Sequence, residues 1–196
     1  ILPLMDTFTT LQGEGFHSGK SAHFLRIGGC DIGCHWCDIK ESWNSDLYPL
    51  VKVENILETI DPLTDLVIIS GGEPLIWNML PLTDALKKMN KKIHLETSGA
   101  YELSGCWDWI CLSPKKNKPP IPDLFKKANE LKVIVYNKHD LIFAKQNAKY
   151  VEKDCVLFLQ PEWSNKEKVM PLISKFILEN PNWRLSLQTH KYIDIK

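Results

Sequence analysis

The sequence predicts an α/β fold built as an incomplete barrel of about six to seven mostly parallel strands with few outer helices. Three observations predict it. Short apolar or β-branched runs alternate with helical patterns along most of the chain. A polar motif follows almost every such run. The 196 residues also fall short of the roughly 250 that a closed eight-stranded barrel needs.

Taken in order, Ala22–Ile27 reads as the first strand and runs into a group of cysteines. A helical pattern over Val53–Ile60 leads to a second strand, Leu66–Ser70, which ends in GGEP (Gly71–Pro74). The pattern Met79–Met89 precedes the third strand, Lys92–Glu96, where ETSG (Glu96–Gly99) begins. Trp109–Leu112 is the fourth strand, followed by SPK (Ser113–Lys115) and by the loop KKNKPP (Lys115–Pro120). Helical Asp123–Glu130 leads to the fifth strand, Leu131–Tyr136, and helical Asp140–Lys149 to the sixth, Val156–Gln160, which ends in QP (Gln160–Pro161). Helical Lys166–Leu178 then gives way to the seventh strand, Arg184–Leu187, and QTHK (Gln188–Lys191). Parallel strands need long crossovers, and this order supplies them. The motifs therefore collect at the C-terminal ends of the strands, the rim that carries the active site in TIM-like barrels. An incomplete barrel is expected to leave a lateral mouth for substrate.

With 44% apolar residues the chain can bury one substantial core, and a single domain over residues 1–196 is expected, with no linker or fixed-period repeat. Its 24 basic and 24 acidic residues balance, so no overall charge, as distinct from a local basic patch, draws it towards nucleic acid or an anionic membrane, and a small-molecule substrate is expected. No run of about 18 apolar residues occurs, and the first residues lack the basic and apolar segments of a signal peptide. A cytoplasmic protein is expected. The six cysteines, three of them clustered, do not resemble a secreted disulfide framework.

Cys30, Cys34 and Cys37 stand in a C-x3-C-x2-C array with Trp36 just before the last. Three thiolates can hold an iron-sulfur cluster and leave one iron open, which suggests a metal centre that binds something reactive rather than one that only relays electrons. The competing reading is a zinc site completed by His35, although His35 directly follows Cys34 and zinc ligands are usually spread more widely. Cys106, Cys111 and Cys155 lie apart in apolar company and are expected to be buried thiols.

The array, followed one strand later by GGEP, resembles the radical S-adenosylmethionine superfamily. That resemblance implies a 4Fe-4S cluster on the three cysteines, its open iron bound by the amino and carboxylate groups of S-adenosylmethionine. It implies further that Gly71, Gly72 and Glu73 meet the amino group, where glycine lets backbone carbonyls come close, and that Trp36 packs near the adenine.

A larger set, TLQGEG (Thr10–Gly15), FLRIGGC (Phe24–Cys30), WCD (Trp36–Asp38), ETSG, SPK, LQP and QTHK, is similar to the 7-carboxy-7-deazaguanine synthase family. The resemblance implies a carbon-nitrogen lyase that contracts the ring of 6-carboxy-5,6,7,8-tetrahydropterin and expels ammonia, on the route to 7-deazapurines such as queuosine. A hydrogen would be removed at C6 by the adenosyl radical, and the cofactor regenerated. Carried over by motif, Gln12, Glu14, Arg26, Thr97, Ser98 and His190 would bind the pterin, and Ser113 and Gln160 would touch S-adenosylmethionine. A flavodoxin or ferredoxin as electron donor and a homodimer are implied as well.

The chain departs from the family at one position. Where the family places a threonine or serine hydroxyl beside a magnesium ion, this chain has Ile39. An aliphatic side chain cannot ligate a hard cation, so the magnesium that the family implies lacks its protein ligand here. The next residue, Lys40, is expected to supply positive charge instead. Two other functions compete: a radical S-adenosylmethionine activase acting on a partner protein, against which QGEG and QTHK speak, and a non-enzymatic zinc-stabilised binding module.

Overall fold

Strict alternation along the strands decides which face each side chain meets. In the strand Glu130–Val135, Leu131, Val133 and Val135 join the apolar core beneath the helices, whereas Lys132 and Ile134 face a cavity on the other side. The same division holds for Ile93 and Leu95 against Glu96, and for Val67 and Ile69 against Ser70. One layer of this α/β molecule is thus ordinary core, and the other is the inner wall of a partial barrel.

The computed structural model describes residues 1–196. Its strands are β1 (Leu2–Leu11), β2 (Ser21–Ile27), β3 (Leu50–Val51), β4 (Leu66–Gly71), β5 (Lys92–Thr97), β6 (Trp109–Leu112), β7 (Glu130–Val135), β8 (Val156–Pro161) and β9 (Trp183–Leu185). They form a single open sheet in the order β3-β1-β2-β4-β5-β6-β7-β8-β9. From β2 to β9 every neighbouring pair is parallel, and β1 is antiparallel to both β2 and β3. The helices are α1 (Val53–Glu58), α2 (Leu80–Lys88), α3 (Pro122–Lys127), α4 (Lys138–Asn147), α5 (Lys166–Glu179) and α6 (Thr189–Tyr192). The mostly parallel, unclosed barrel expected from the sequence is therefore present, with two strands more than the seven expected.

The additional strands have simple origins. β1 carries Pro3 and Asp6, which mask its pattern, and it is tolerated because it lies near the sheet edge. β3 has only two residues and pairs with Leu2 and Pro3. The helix expected over Asp123–Glu130 ends at Lys127, because Ala128 is extended and Glu130 already belongs to β7.

The gap between β1 and β9 is covered by the chain itself. The backbone N–H of Thr189 donates to the Gly13 carbonyl at 2.9 Å, Gly15 N–H donates to Ser186 Oγ at 2.9 Å, and Lys196 Nζ meets Asp6 Oδ2 at 2.6 Å. The C-terminal segment thus bridges this edge, while the sheet itself stays open. Below the cavity, Phe16 and His17 of the 12–20 loop pack on Trp109 and His94 and plug the barrel floor. Of the three isolated cysteines, Cys111 and Cys155 are buried; Cys106 is exposed, contrary to expectation, with its Sγ beside Asp84.

Candidate active site

The cysteine loop is anchored before it is chemical. Leaving β2, Gly28 accepts a bond from Trp77 Nε1 at 2.9 Å, Gly29 N–H donates to the Ser42 carbonyl at 2.7 Å, and Cys30 N–H to that of Trp43 at 3.1 Å. The GGEP segment locks onto this turn: Gly72 N–H donates to Ile27 and Glu73 N–H to Gly29, each at 2.8 Å. Both glycines are required by that contact. Gly71 has φ +118°, and a Cβ there would lie 2.4 Å from the Ile27 backbone; a Cβ on Gly72 would lie 2.3 Å from the Gly29 carbonyl oxygen.

Glu73 is fully buried and its carboxylate organises the next loop. Oε1 accepts from Thr97 Oγ1 at 2.6 Å and from Leu75 N–H at 3.1 Å, and Oε2 accepts from Ser98 N–H at 2.7 Å and Ser98 Oγ at 2.5 Å. The three bonds to Thr97 and Ser98 hold GGEP and ETSG together as one unit, and the fourth tightens the GGEP turn itself. The hydroxyls of Thr97 and Ser98 are therefore committed to Glu73, although both residues line the cavity.

The cavity has a volume of about 240 Å³, room for far more than an ordered water. Cys30, Cys34 and Cys37 line one end together with Trp36, Gly71 and Gly72, and Ser113 and Gln160 lie on its wall. Lys115 Nζ donates to the Ser113 carbonyl at 2.5 Å and sits 5.5 Å from the centre of the Trp36 ring. Gln160 is buried and accepts from Ser186 Oγ at 2.7 Å.

At the floor, Lys132 Nζ contacts Glu14 Oε2 at 2.7 Å and Glu96 Oε2 at 2.9 Å. Gln188 Nε2 donates to the other oxygen of Glu14 at 2.9 Å, and Gln12 Nε2 to that of Glu96 at 3.3 Å. Burial pushes both carboxyls up, but Lys132 outweighs it and holds each below the ordinary carboxylate range. Burial likewise pulls the Lys132 ammonium down, and the acids around it, Cys111, Glu14, Glu96 and Glu130, leave it well above the usual lysine value.

The sequence-derived residues fall into two groups. Glu14, Trp36, Gly71, Gly72, Glu73, Thr97, Ser98, Ser113, Gln160 and the three cysteines line the cavity. Gln12, Arg26 and His190 stand behind or beside it. Gln12 is buried with its amide committed to Glu96 and to Glu14 N–H. Arg26 pairs in register with Ser70, a lining residue, and its guanidinium lies over Phe8 with no carboxylate partner. The His190 ring packs against Gly13, where a Cβ would fall 2.0 Å from its Nδ1, and burial lowers its basicity.

Sequence reasoning passed over Glu96, Lys132, Gln188, Asp38 and Lys115, all of which line the cavity. Four of these sit inside motifs already singled out, ETSG, QTHK, WCD and SPK. Lys132 had a signal of its own, a lysine in an apolar strand.

The residues fit an iron-sulfur cluster better than a single ion. All three array cysteines are free thiols, half-buried at one cavity end. A tetrahedral zinc site draws its sulfurs to within about 4 Å of one another, and no three His, Cys, Asp or Glu residues gather closely enough to hold one ion. A cubane spaces its cysteines more widely, one per iron. His35, the proposed fourth zinc ligand, is exposed and packs on Tyr136. Burial raises the Cys30 thiol to about 11 and raises that of Cys34 too, so cluster binding must drive off their protons.

A magnesium ion finds no comparable set of donors. Ile39 lines the cavity with a hydrocarbon side chain, and the adjacent Asp38 is taken by Lys191 Nζ at 2.7 Å and Gln188 Nε2 at 3.3 Å. Lys40 is exposed and outside the lining, so the expectation that it supplies charge there is not met. The cation that pairs with Asp38, the residue before Ile39, is Lys191.

Comparison with known proteins agrees with this geometry. The model of the Radical SAM superfamily matches residues 25–111, from β2 through the cysteine loop and GGEP to β6. A 7-carboxy-7-deazaguanine synthase from Flavobacterium psychrophilum is 55% identical over 100% of this chain and 93% of the relative. The chain belongs to the 7-carboxy-7-deazaguanine synthase family. The synthase of that name from Escherichia coli K12 is 34% identical over 98% of both chains. The crystal structure of QueE from Escherichia coli superposes with a TM-score of 0.82 at 32% identity, covering 96% of this chain and 94% of that one. The chain is accordingly an enzyme of the radical S-adenosylmethionine type, and its family implies a 4Fe-4S cluster with S-adenosylmethionine.

Proposed function

We propose that this chain converts 6-carboxy-5,6,7,8-tetrahydropterin to 7-carboxy-7-deazaguanine with loss of ammonia, a carbon-nitrogen lyase reaction in 7-deazapurine and queuosine biosynthesis. The observation that carries the proposal is the two-ended cavity, with three free cysteines at one end and a charged, hydrogen-bonding floor at the other. When bound, the cluster and S-adenosylmethionine supply a carbon radical that abstracts hydrogen.

The remaining work belongs to the protein. Cys30, Cys34 and Cys37 would hold the cluster. Gly71 and Gly72 present bare backbone, Trp36 a flat apolar face, and Ser113 and Gln160 polar atoms, to S-adenosylmethionine. Glu73 acts at one remove, by fixing both loops. Glu14 and Glu96 accept hydrogen bonds from the pterin ring, and Arg26, unpaired and next to Ser70, is suited to the substrate carboxylate. His190 sits against Gly13 at the same end. The occluded floor keeps water from the reacting centre.

Family resemblance supports three further parts of the proposal: a flavodoxin or ferredoxin as electron donor, a homodimer, and a cytoplasmic location. No helix is long and apolar enough to cross a membrane. Magnesium is assigned no role, because Ile39 offers it no donor where the family places a hydroxyl.

The test is anaerobic incubation of cluster-reconstituted protein with S-adenosylmethionine, reductant and the tetrahydropterin, followed by mass spectrometry. Formation of 7-carboxy-7-deazaguanine is the expected result. Cleavage of S-adenosylmethionine without that product would overturn the substrate assignment while leaving the superfamily chemistry intact.

A further inference from the structure

We propose that Lys132 is a specificity-determining positioning residue, whose buried ammonium joins Glu14 and Glu96 into one two-armed acceptor for the amino-substituted edge of the pterin ring. The inference rests on the tetrahydropterin reading above and deepens it. Stability alone does not explain the lysine. The position paired with Lys132 on the neighbouring strand β8 carries the buried Phe158, and replacing a buried ion cluster by packed apolar side chains is commonly neutral or stabilising.

The geometry is that of a template. Glu14 comes from the loop after β1, Glu96 from β5 and Lys132 from β7, so no two of the three share an element. Lys132 takes one oxygen of each carboxylate, and a glutamine amide takes the other: Gln188 for Glu14 and Gln12 for Glu96. Each carboxylate plane is thereby fixed, while every oxygen keeps a lone pair. All three residues line the cavity, but the side chains of both glutamates remain 19% accessible against 5% for Lys132, so the carboxylates are the more open to it and the ammonium lies deeper between them.

The ligand chemistry follows from that arrangement. A 2-amino-4-oxo pterin presents two adjacent donors, the ring N–H and the exocyclic amine, which match the two oxygens of a carboxylate. A 2,4-dioxo ring of the same shape replaces the amine by a carbonyl, setting its lone pairs against those of the carboxylate. A site built to receive a donor rejects the analogue that lacks it more strongly than an apolar pocket rejects a change of shape.

The test is calorimetric binding to cluster-reconstituted, unreduced protein with S-adenosylmethionine present, so that no turnover occurs. The ligands are 6-carboxytetrahydropterin and its 2-oxo counterpart. Wild type is expected to favour the 2-amino compound by at least about tenfold, Lys132→Gln to lose most of that ratio, and Lys132→Arg to restore part of it. An unchanged ratio in Lys132→Gln, or no preference in wild type, would overturn the proposal. Should Lys132→Gln fail to fold, Lys132→Gln combined with Glu14→Gln restores the net charge of the floor, and a retained preference in that variant would overturn the proposal equally. Wild-type protein that binds neither compound would instead overturn the tetrahydropterin reading itself.

Discussion

Glu73 illustrates how a motif residue can be essential without touching ligand. Its carboxylate accepts from Leu75 N–H, Thr97 Oγ1, Ser98 N–H and Ser98 Oγ, all in a buried setting. In Glu73→Gln the amide nitrogen must face two of these donors and can accept from neither, which costs about 1–3 kcal/mol for each one left unpaired. Chemical denaturation of the apo-protein should show this loss, and binding of S-adenosylmethionine should weaken with it. His94 is informative in a different way. Both of its ring nitrogens are buried without a hydrogen-bond partner, Nε2 lies 3.6 Å from Glu96, and burial pushes its pKa down to about 4. The unfolded chain, with an ordinary value of 6.5, therefore binds this proton more readily than the folded one. Stability from His94 is complete above pH 6.5 and is lost as pH falls towards 4, by about 3 kcal/mol at most. Glu14 and Glu96, held low by Lys132, lose their contribution below the ordinary carboxylate value of 4.5 and so deepen the same acid limb. Urea midpoints measured between pH 4 and 7 should fall on acidification, and more shallowly in His94→Phe; equal slopes would contradict this account.

Among the elements, the 12–20 loop and the segment after β9 work as one closure. Gly13 accepts from Thr189, and its missing Cβ makes room for His190. Gly13→Ala places a methyl 2.0 Å from Nδ1 of that ring, and must push QTHK away from the floor. The expected outcome is a rise in KM for the pterin of about tenfold or more, with S-adenosylmethionine binding unchanged; a parallel loss of both would show that the closure supports the whole site. At this scale the sequence was legible where the pattern was strong. The parallel order of β2 and β4 to β9, and the gathering of polar motifs at one rim, follow from strand-helix alternation that tertiary contacts only reinforce. It was illegible where one face of a strand was polar for a reason of its own. Lys132 hides in an apolar run because β7 buries Leu131, Val133 and Val135 on the opposite face, and β1 hides because Pro3 and Asp6 interrupt it. Glu96 stood inside a motif that had been noted, yet its pairing with Lys132 depends on contact across β5 and β7, which no local window contains.

For the molecule as a whole, what matters is how the cations around the cavity are held. Lys132 is held by Glu14 and Glu96, Lys191 by Asp38, and Lys115 by Ser113, while Arg26 has no ion-pair partner. This distribution leaves Arg26 for the substrate carboxylate, and Ile39 offers a divalent ion no donor. Turnover should therefore stay within about twofold whether magnesium or a chelator is added, since an aliphatic side chain offers a hard cation nothing; stimulation of several-fold by magnesium would contradict it. The central claim is that one cavity orients S-adenosylmethionine at the cysteine end and the pterin at the glutamate-lysine floor. An anaerobic crystal structure of the reconstituted protein with both bound tests it most directly. The account predicts the methionine moiety against Gly71 and Gly72, and the amino edge of the pterin within hydrogen-bonding distance of Glu14 or Glu96. A pterin bound away from that floor, or with its carboxylate rather than its amino edge facing the two glutamates, would contradict it.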